Sequence, residues 1–383
     1  MKVKKEVMSK ERLQRSLSIP DLTNPENGIH AINIMINNIK EGLKKDYPKS
    51  NISIVRSDPK VSVEENYDDL LIPSNNPSRS SRYTRYIDEN NVLRTHTSAI
   101  LPRWLKKRAS GAIEDETILL PGMCYRRDVV DRTHCGEPHQ MDIWRIKKGE
   151  PRLMRRDLIH LVETILNITV PGYNYRINET NHPYTINGIE IEILKDGEWL
   201  EVLECGEAHP TILKNAGLNP QEYSGLALGM GLDRLVMTIK EIDDIRILRS
   251  NDERIKEQMK NLDKYIKVSN QPATKRVLSY SASKEKTEED VYEEVRDMLG
   301  ENSSYIEEIN YSEVLYEELP EKAKENLGIL PWQKNIIITI VLRPLERSLP
   351  RETVNKWIES LYPKLNEGKS GYYSDDYLKK LQK

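Results

Sequence analysis

Phenylalanine is absent from this sequence of 383 residues. A soluble chain of that length ordinarily carries on the order of a dozen, so chance does not explain the gap. Codon bias does not explain it either, because the sequence is rich in Ile, Asn, Lys and Tyr, which AT-rich codons favour together with phenylalanine. Cysteine is scarce. The three present (Cys124, Cys135 and Cys205) are too few and too scattered for a disulfide framework, which points to a reducing, cytoplasmic setting. No apolar run is long enough for a signal sequence or a membrane span, and the lysine-rich start soon acquires Glu6 and Glu11, unlike a transit peptide. An excess of one charge is lacking too. Lys and Arg number 58 against 61 Asp and Glu, a net charge of -3, so any contact with nucleic acid has to be local.

What the sequence does contain is organised around residues 122–146, GMCYRRDVVDRTHCGEPHQMDIWRI. Two apolar runs flank a middle dense in Arg, Asp, His and Glu, with Gly136 and Pro138 near its tip, a pattern that predicts a strand, a charged loop and a returning strand. Arg126 and Arg127 open the loop where the first strand ends. A guanidinium fixed on a strand suits bidentate binding of phosphate, and a surface hairpin with solvated charges is the plain alternative.

The rest is read in order. Leu13, Leu17 and Ile19, then Ile32, Met35, Ile39 and Leu43, recur at roughly helical spacing and predict two packing helices separated by Pro20, Pro25 and Gly28. Thr95, His96, Thr97 and Ser98 place four polar groups before an amphipathic helix, either as the wall of a polar pocket or as a simple capping cluster. In GIEIEILKDGEWLEVLECG (residues 188–206), Glu190 and Glu192 share one strand face, and a Lys195-Asp196-Gly197 turn leads to a second strand with Glu201 and Glu204. Such carboxylates either converge on a divalent cation or form polar outer faces. Residues 223–239 read as a glycine-rich strand passing directly into a helix that carries Arg234 in its first turns. Cys205 with His209 and Cys135 with His139 have ligand-like spacing, but without CxxC pairs they are read as loop and pocket residues.

In this order and combination the pieces resemble the class II aminoacyl-tRNA synthetases, and in detail the catalytic subunit of phenylalanyl-tRNA synthetase. The resemblance runs through THTS (95–98), YRRDVVDRTH (125–134), HQMD (139–142), WLEVLECGEAHP (199–210), GLALGMGLDRLVM (225–237) and IDDIRILRSND (242–252). It implies an α+β fold, an antiparallel sheet flanked by helices, working with ATP and Mg2+. Carried over by position, Arg126 holds the α-phosphate, Asp128 and His134 help set the nucleotide, and Arg234 meets the γ-phosphate, so that Arg126 and Arg234 are the catalytic pair. Glu201 and Glu204 would hold Mg2+, although most of the family has glycine at position 204. His96, Ser98, Gln140 and Asp142 surround the substrate ammonium and carboxylate, with Asp142 standing where the family has glutamate.

The side-chain pocket departs further. The family's FPF segment corresponds to His182-Pro183-Tyr184, and GFAFG to Gly225-Leu226-Ala227-Leu228-Gly229. Ala227 beside Gly229 keeps room for an aromatic ring. His182 and Tyr184 bring hydrogen-bonding groups into an otherwise apolar slot, where an unpaired buried polar group costs about 1 to 3 kcal/mol. Phenylalanine, a ring with a polar substituent and a smaller polar amino acid all stay open.

Domains are expected at 1–28 (a helical segment), 29–260 (catalytic) and 261–383. The last, read as strand, helix, strands and helix, suggests a small ferredoxin-like module. Its runs NQPATKRVLSY (270–280) and LRPLERSLPRETVNKWI (342–358) resemble an anticodon-binding domain, with Lys275, Arg276, Arg343 and Arg347 facing RNA phosphates. The resemblance therefore implies tRNA as partner, with a monomer or homodimer, no membrane and a cytoplasmic setting. Two alternatives stand beside it: a diverged paralogue that adenylates an amino acid for a non-translational acceptor, and a tRNA-binding regulator without catalysis. The missing phenylalanine has a counterpart expectation. A relative of phenylalanyl-tRNA synthetase without phenylalanine can be translated when phenylalanyl-tRNA is scarce or mischarged.

Overall fold

The computed structural model of the protein describes residues 6–109, 111, 113–127, 131–268, 272–344 and 348–368, so Asp128 and Arg347 lie outside the described residues. The chain forms two compact units. The first comprises Met1–Arg126, Gly136–Asp243 and Lys256–Tyr265, the second Arg127–Cys135, Asp244–Ile255 and Ile266–Lys383. A single cut near residue 260 does not describe this division, because residues 127–135 and 244–255 bond to each other within the second unit, as in Ile245 N–H to the Arg132 carbonyl at 2.7 Å.

In the first unit the strands are β1 (Asn51–Ile54), β2 (Lys60–Ser62), β3 (Asn91–Leu93), β4 (Asp115–Met123), β5 (His139–Lys148), β6 (Tyr175–Glu179), β7 (Thr185–Lys195), β8 (Glu198–Ala208) and β9 (Tyr223–Gly231). Its helices are α1 (Lys10–Ser18), α2 (Ala31–Asp46), α3 (Val63–Asn66), α4 (Leu101–Arg108), α5 (Arg155–Thr169), α6 (Pro210–Asn215) and α7 (Leu232–Ile239). Seven strands make one sheet in the order β1-β4-β5-β9-β8-β7-β6, antiparallel except for β1 beside β4. The 122–146 segment is the expected hairpin between β4 and β5, and the glycine-rich run passes from β9 into α7 without a loop. Where β7 turns into β8, Asp196 and Gly197 both have positive φ (52° and 88°), which suits the right-handed twist of a tight hairpin.

Period-two alternation sorts the two faces. Met141 and Ile143, Leu228 and Met230, Leu203 and Cys205, and Ile189 and Ile191 share one face, all buried, and α2, α5 and α7 cover it. Helix α2 fits because Ile32, Met35, Ile36, Ile39 and Leu43 form one buried stripe, and His30 caps it by accepting the Ile32 N–H at Nδ1 (3.1 Å). The opposite face carries the polar residues.

In the second unit β10 (Thr274–Ser283), β11 (Ile306–Leu315) and β12 (Gln333–Leu342) form an antiparallel sheet in the order β10-β12-β11. After α8 (Glu253–Gln258) come α9 (Glu288–Leu299), α10 (Glu321–Leu327) and α11 (Arg351–Leu365). Leu278, Tyr280, Ile336, Ile338 and Ile340 pack with Val291 and Val295 of α9 and Val354, Ile358 and Leu361 of α11. Three strands and two packed helices thus occupy the stretch expected to be ferredoxin-like; a fourth strand is not among the described residues. Arg127 bonds Asp290 (2.8 Å) and Glu293 (2.6 Å), and Glu307 gathers Arg132 (2.9 Å) and Arg343. Lys275 is exposed, while Arg276 is buried and donates to the Asn355 side chain (2.8 and 3.1 Å).

Candidate active site

On the polar face of the seven-stranded sheet the registers align residues across the strands. One row runs Leu120, Asp142, Gly229, Glu204, Glu190; the next runs Ile118, Trp144, Ala227, Gly206; a third joins Gly122, Gln140 and Gly231. The centre of these rows holds glycine and alanine. A trough results, floored by backbone and walled by Gln140, Asp142 and Trp144 on one side and Glu204 and Glu190 on the other. Asp142 and Glu204 stand two strands apart, about 10 Å at the usual strand spacing, room for one amino acid. A Cβ at Gly229 would lie 3.1 Å from Asp142 Oδ1 and press on that side chain.

At one end Arg126 is held rigidly: Nε donates to the Thr95 carbonyl (2.8 Å) and Nη2 to Gln140 Oε1 (3.0 Å). Its remaining N–H groups are left for an anion. His96 Nε2 meets the Asn66 carbonyl at 2.9 Å, and a carbonyl only accepts, so Nε2 carries the proton and buried Nδ1, which has no partner, is an acceptor. Burial, then the charge of Arg126, push the pKa of His96 down to about 4, and the ring is neutral. Asp142 accepts from the Thr97 hydroxyl; burial raises its pKa, while Thr97, Ser98 and Arg126 oppose the rise. The Ser98 hydroxyl is fully buried near this carboxylate. A buried carboxylate flanked by the Thr97 and Ser98 hydroxyls suits an ammonium group.

The aromatic wall follows from β5 and the segment before β7. Trp144 is fully buried, its ring 6.1 Å from that of Tyr184, which stacks on His182 at 5.9 Å. Tyr184 packs against the cluster that contains Ala227. The indole N–H of Trp144 and the hydroxyl of Thr185 are buried and unpaired. His182 Nε2 pairs loosely with Glu204 Oε1 at 3.3 Å, and this contact, against the partial burial of the ring, raises the pKa of His182.

The carboxylates expected to meet a cation are placed by an irregularity. Ile191 pairs with Leu203 and Glu192 with Glu201, so Val202 is an extra residue, and this bulge brings Glu201 to the face of Glu204, Glu190 and Glu192. Burial and the neighbouring Glu204 raise the pKa of Glu201, and Arg234 offsets part of this. Arg234, in the first turn of α7, donates to the Glu201 carbonyl at 2.8 Å. No three His, Cys, Asp or Glu among the described residues converge closely enough to hold a metal alone. A cation held beside Glu201 would need most of its ligands from elsewhere, as from a phosphate.

Thus His96, Ser98, Arg126, Gln140, Asp142, His182, Tyr184, Glu201, Glu204, Ala227, Gly229 and Arg234 all belong to the first unit. His134 belongs to the second, where Nδ1 meets Asp131 at 2.8 Å. Sequence reading missed two supports. His139 Nδ1 donates to Asp233 Oδ1 (2.8 Å), the Asp233 carboxylate accepts the His139 N–H (2.5 Å), and the Leu22 N–H reaches Nε2 (3.1 Å), tying β5 beside Gln140 to α7 beside Arg234. Arg94 lies beneath Gly122, where a Cβ would come within 2.0 Å of Nη2. Neither pairing leaves a local pattern, although a histidine on an apolar strand edge was a signal.

Comparison with known proteins supplies the family. The model of the class II core domain of tRNA synthetases (F) matches residues 17–259. The phenylalanine–tRNA ligase alpha subunit of Thermosynechococcus vestitus is 32% identical over 246 residues, covering 63% of this chain and 69% of that protein. The same subunit of Glaesserella parasuis is 31% identical over 266 residues, covering 67% and 78%. Among solved structures, pyrrolysyl-tRNA synthetase from Desulfitobacterium hafniense matches at 14% identity over 63% of this chain and 78% of that one, with a TM-score of 0.46, too loose to carry an argument. The chain belongs to the class II aminoacyl-tRNA synthetases.

Proposed function

We propose that the protein is an ATP-dependent ligase of the phenylalanyl type, which activates an aromatic amino acid, phenylalanine or a more polar relative, as its adenylate and transfers it to tRNA. The observation that carries this reading is the trough, with a buried ammonium receptor at Asp142 and fixed arginines, Arg126 and Arg234, at its margin. A carboxylate oxygen of the amino acid attacks the α-phosphorus of ATP; the new O–P bond forms as the bond to the bridging oxygen breaks, and pyrophosphate leaves. A ribose hydroxyl of tRNA then attacks the acyl carbon and AMP departs. No protein nucleophile is needed, since positioning and fixed charge suffice.

Arg126 is assigned to the α-phosphate and Arg234 to the γ-phosphate, while Asp128 and His134 help to set the nucleotide. Glu201 would hold Mg2+, which when bound neutralises charge on the phosphates. In the second unit exposed Lys275 is the readiest partner for a tRNA phosphate, with Arg343 and Arg347 beside it in the assignment. Pyrophosphate exchange across the proteinogenic amino acids and hydroxylated aromatic analogues tests the proposal, and activation of none of them overturns it. Charging of tRNA then separates this reading from a ligase for a non-translational acceptor.

A further inference from the structure

Resting on that reading, the geometry points to His182 and Glu204 as a specificity pair that selects an aromatic amino acid carrying a hydroxyl on its ring. The ammonium receptor at Asp142 fixes one end of the substrate. From there the trough continues over Ala227 and Gly229 toward the stacked rings of Tyr184 and His182, and Glu204 stands across Gly229 from Asp142. Glu204 Oε1 and His182 Nε2 form a loose ion pair at 3.3 Å, and the carboxylate keeps lone pairs that can accept from a substrate hydroxyl. The unpaired indole N–H of Trp144 and hydroxyl of Thr185 add to the polar demand of this wall. An unsubstituted ring would offer nothing to the Trp144 and Thr185 groups that lack partners. A site built to hydrogen-bond a substrate hydroxyl rejects the analogue lacking it far more strongly than an apolar pocket rejects an added hydroxyl. This assigns Glu204 to the amino acid and leaves Glu201 for the metal side.

Pyrophosphate exchange with phenylalanine, tyrosine and meta-tyrosine, on the wild type and on the His182→Phe, Glu204→Gly double variant, tests the pair. The wild type should favour a hydroxylated ring over phenylalanine by at least about 10-fold in kcat/KM, and the double variant should reverse that preference. Glu204→Gln, which keeps shape and hydrogen bonding, should shift selectivity less and guards against a folding artefact. A wild-type preference for phenylalanine that the double variant leaves unchanged overturns the pair with the synthetase reading intact. No activation of any amino acid overturns both.

A different observation carries a second inference. Tyr280 is fully buried in the apolar core of the second unit, and its hydroxyl has no partner. Phenylalanine would fill that site without stranding a polar atom, yet all 383 residues avoid it. We infer that phenylalanine is excluded so that the chain can be made while phenylalanine codons are poorly or wrongly decoded. Tyr280→Phe should raise Tm with activity unchanged. When phenylalanine is withdrawn from the source cells, abundance of the wild type should hold relative to total protein, whereas a variant with several Tyr→Phe codons should fall. A lower Tm in Tyr280→Phe, or equal decline of both proteins on starvation, overturns the inference.

Discussion

His96 offers a test that couples the site to the stability of the fold. Its ring is neutral at pH 7 because burial and the adjacent Arg126 hold its pKa at about 4 against an ordinary value of 6.5. Between those values the unfolded chain binds a proton that the folded chain refuses, so stability must fall as pH falls through that window. The full separation corresponds to about 3 kcal/mol; the ring is partly exposed, and solvent screening trims this to about 2 kcal/mol. His96→Gln keeps an amide donor for the Asn66 carbonyl but cannot titrate. Urea unfolding of both proteins from about pH 7.5 to 4.5 should show the wild type losing roughly 2 kcal/mol more than the variant. Parallel curves would mean that the ring titrates alike in the folded and unfolded states, which would refute the lowering by burial and Arg126.

Asp142→Asn should act in opposite directions on stability and activity. Its raised pKa means that the carboxylate costs stability once pH rises above the unfolded value, so the variant should unfold at a higher urea concentration at pH 7, while KM for the amino acid in pyrophosphate exchange rises about 10- to 100-fold. Gly229→Ala places a methyl group 3.1 Å from Asp142 Oδ1 and should raise KM by about 10-fold or more with Tm nearly unchanged. Asp233→Asn loosens the tie between β5 and α7 and, since Asp233 does not face the trough, should lower kcat by about 10-fold with a smaller effect on KM.

Local pattern made the hairpin and the β9–α7 junction legible, because a charged middle between apolar runs and a glycine dyad passing into a helical stripe each have one economical reading. The interior supports were not legible. His139 and Asp233 are 94 residues apart, and nothing local to either announces the other. Glu201 and Glu204 lie three apart, a spacing that strict alternation puts on opposite faces, and only the bulge at Val202 reconciles them. The unit boundary was hidden for the same reason: residues 127–135 bond to a segment more than a hundred residues later.

The two inferences meet in the pocket and can be separated there. If phenylalanine is excluded from the whole chain, then His182 and Tyr184, where the resemblance leads one to expect two phenylalanines, need no help from the substrate to explain them. A polar wall could then be a by-product of the exclusion. Glu204 breaks this degeneracy, since avoidance of phenylalanine gives no reason to place a carboxylate there. The Glu204 carboxylate already pairs with His182, and its exposed edge is open to a substrate hydroxyl. Tyr184→Phe alone and Glu204→Gly alone should therefore behave differently. The first should leave the ratio of kcat/KM for hydroxylated and plain rings within about 3-fold of the wild type, and the second should move it by about 10-fold or more toward phenylalanine. If Tyr184→Phe moves the ratio as far as Glu204→Gly does, the hydroxyl reader is the tyrosine, and the pairing of His182 with Glu204 is only a structural contact.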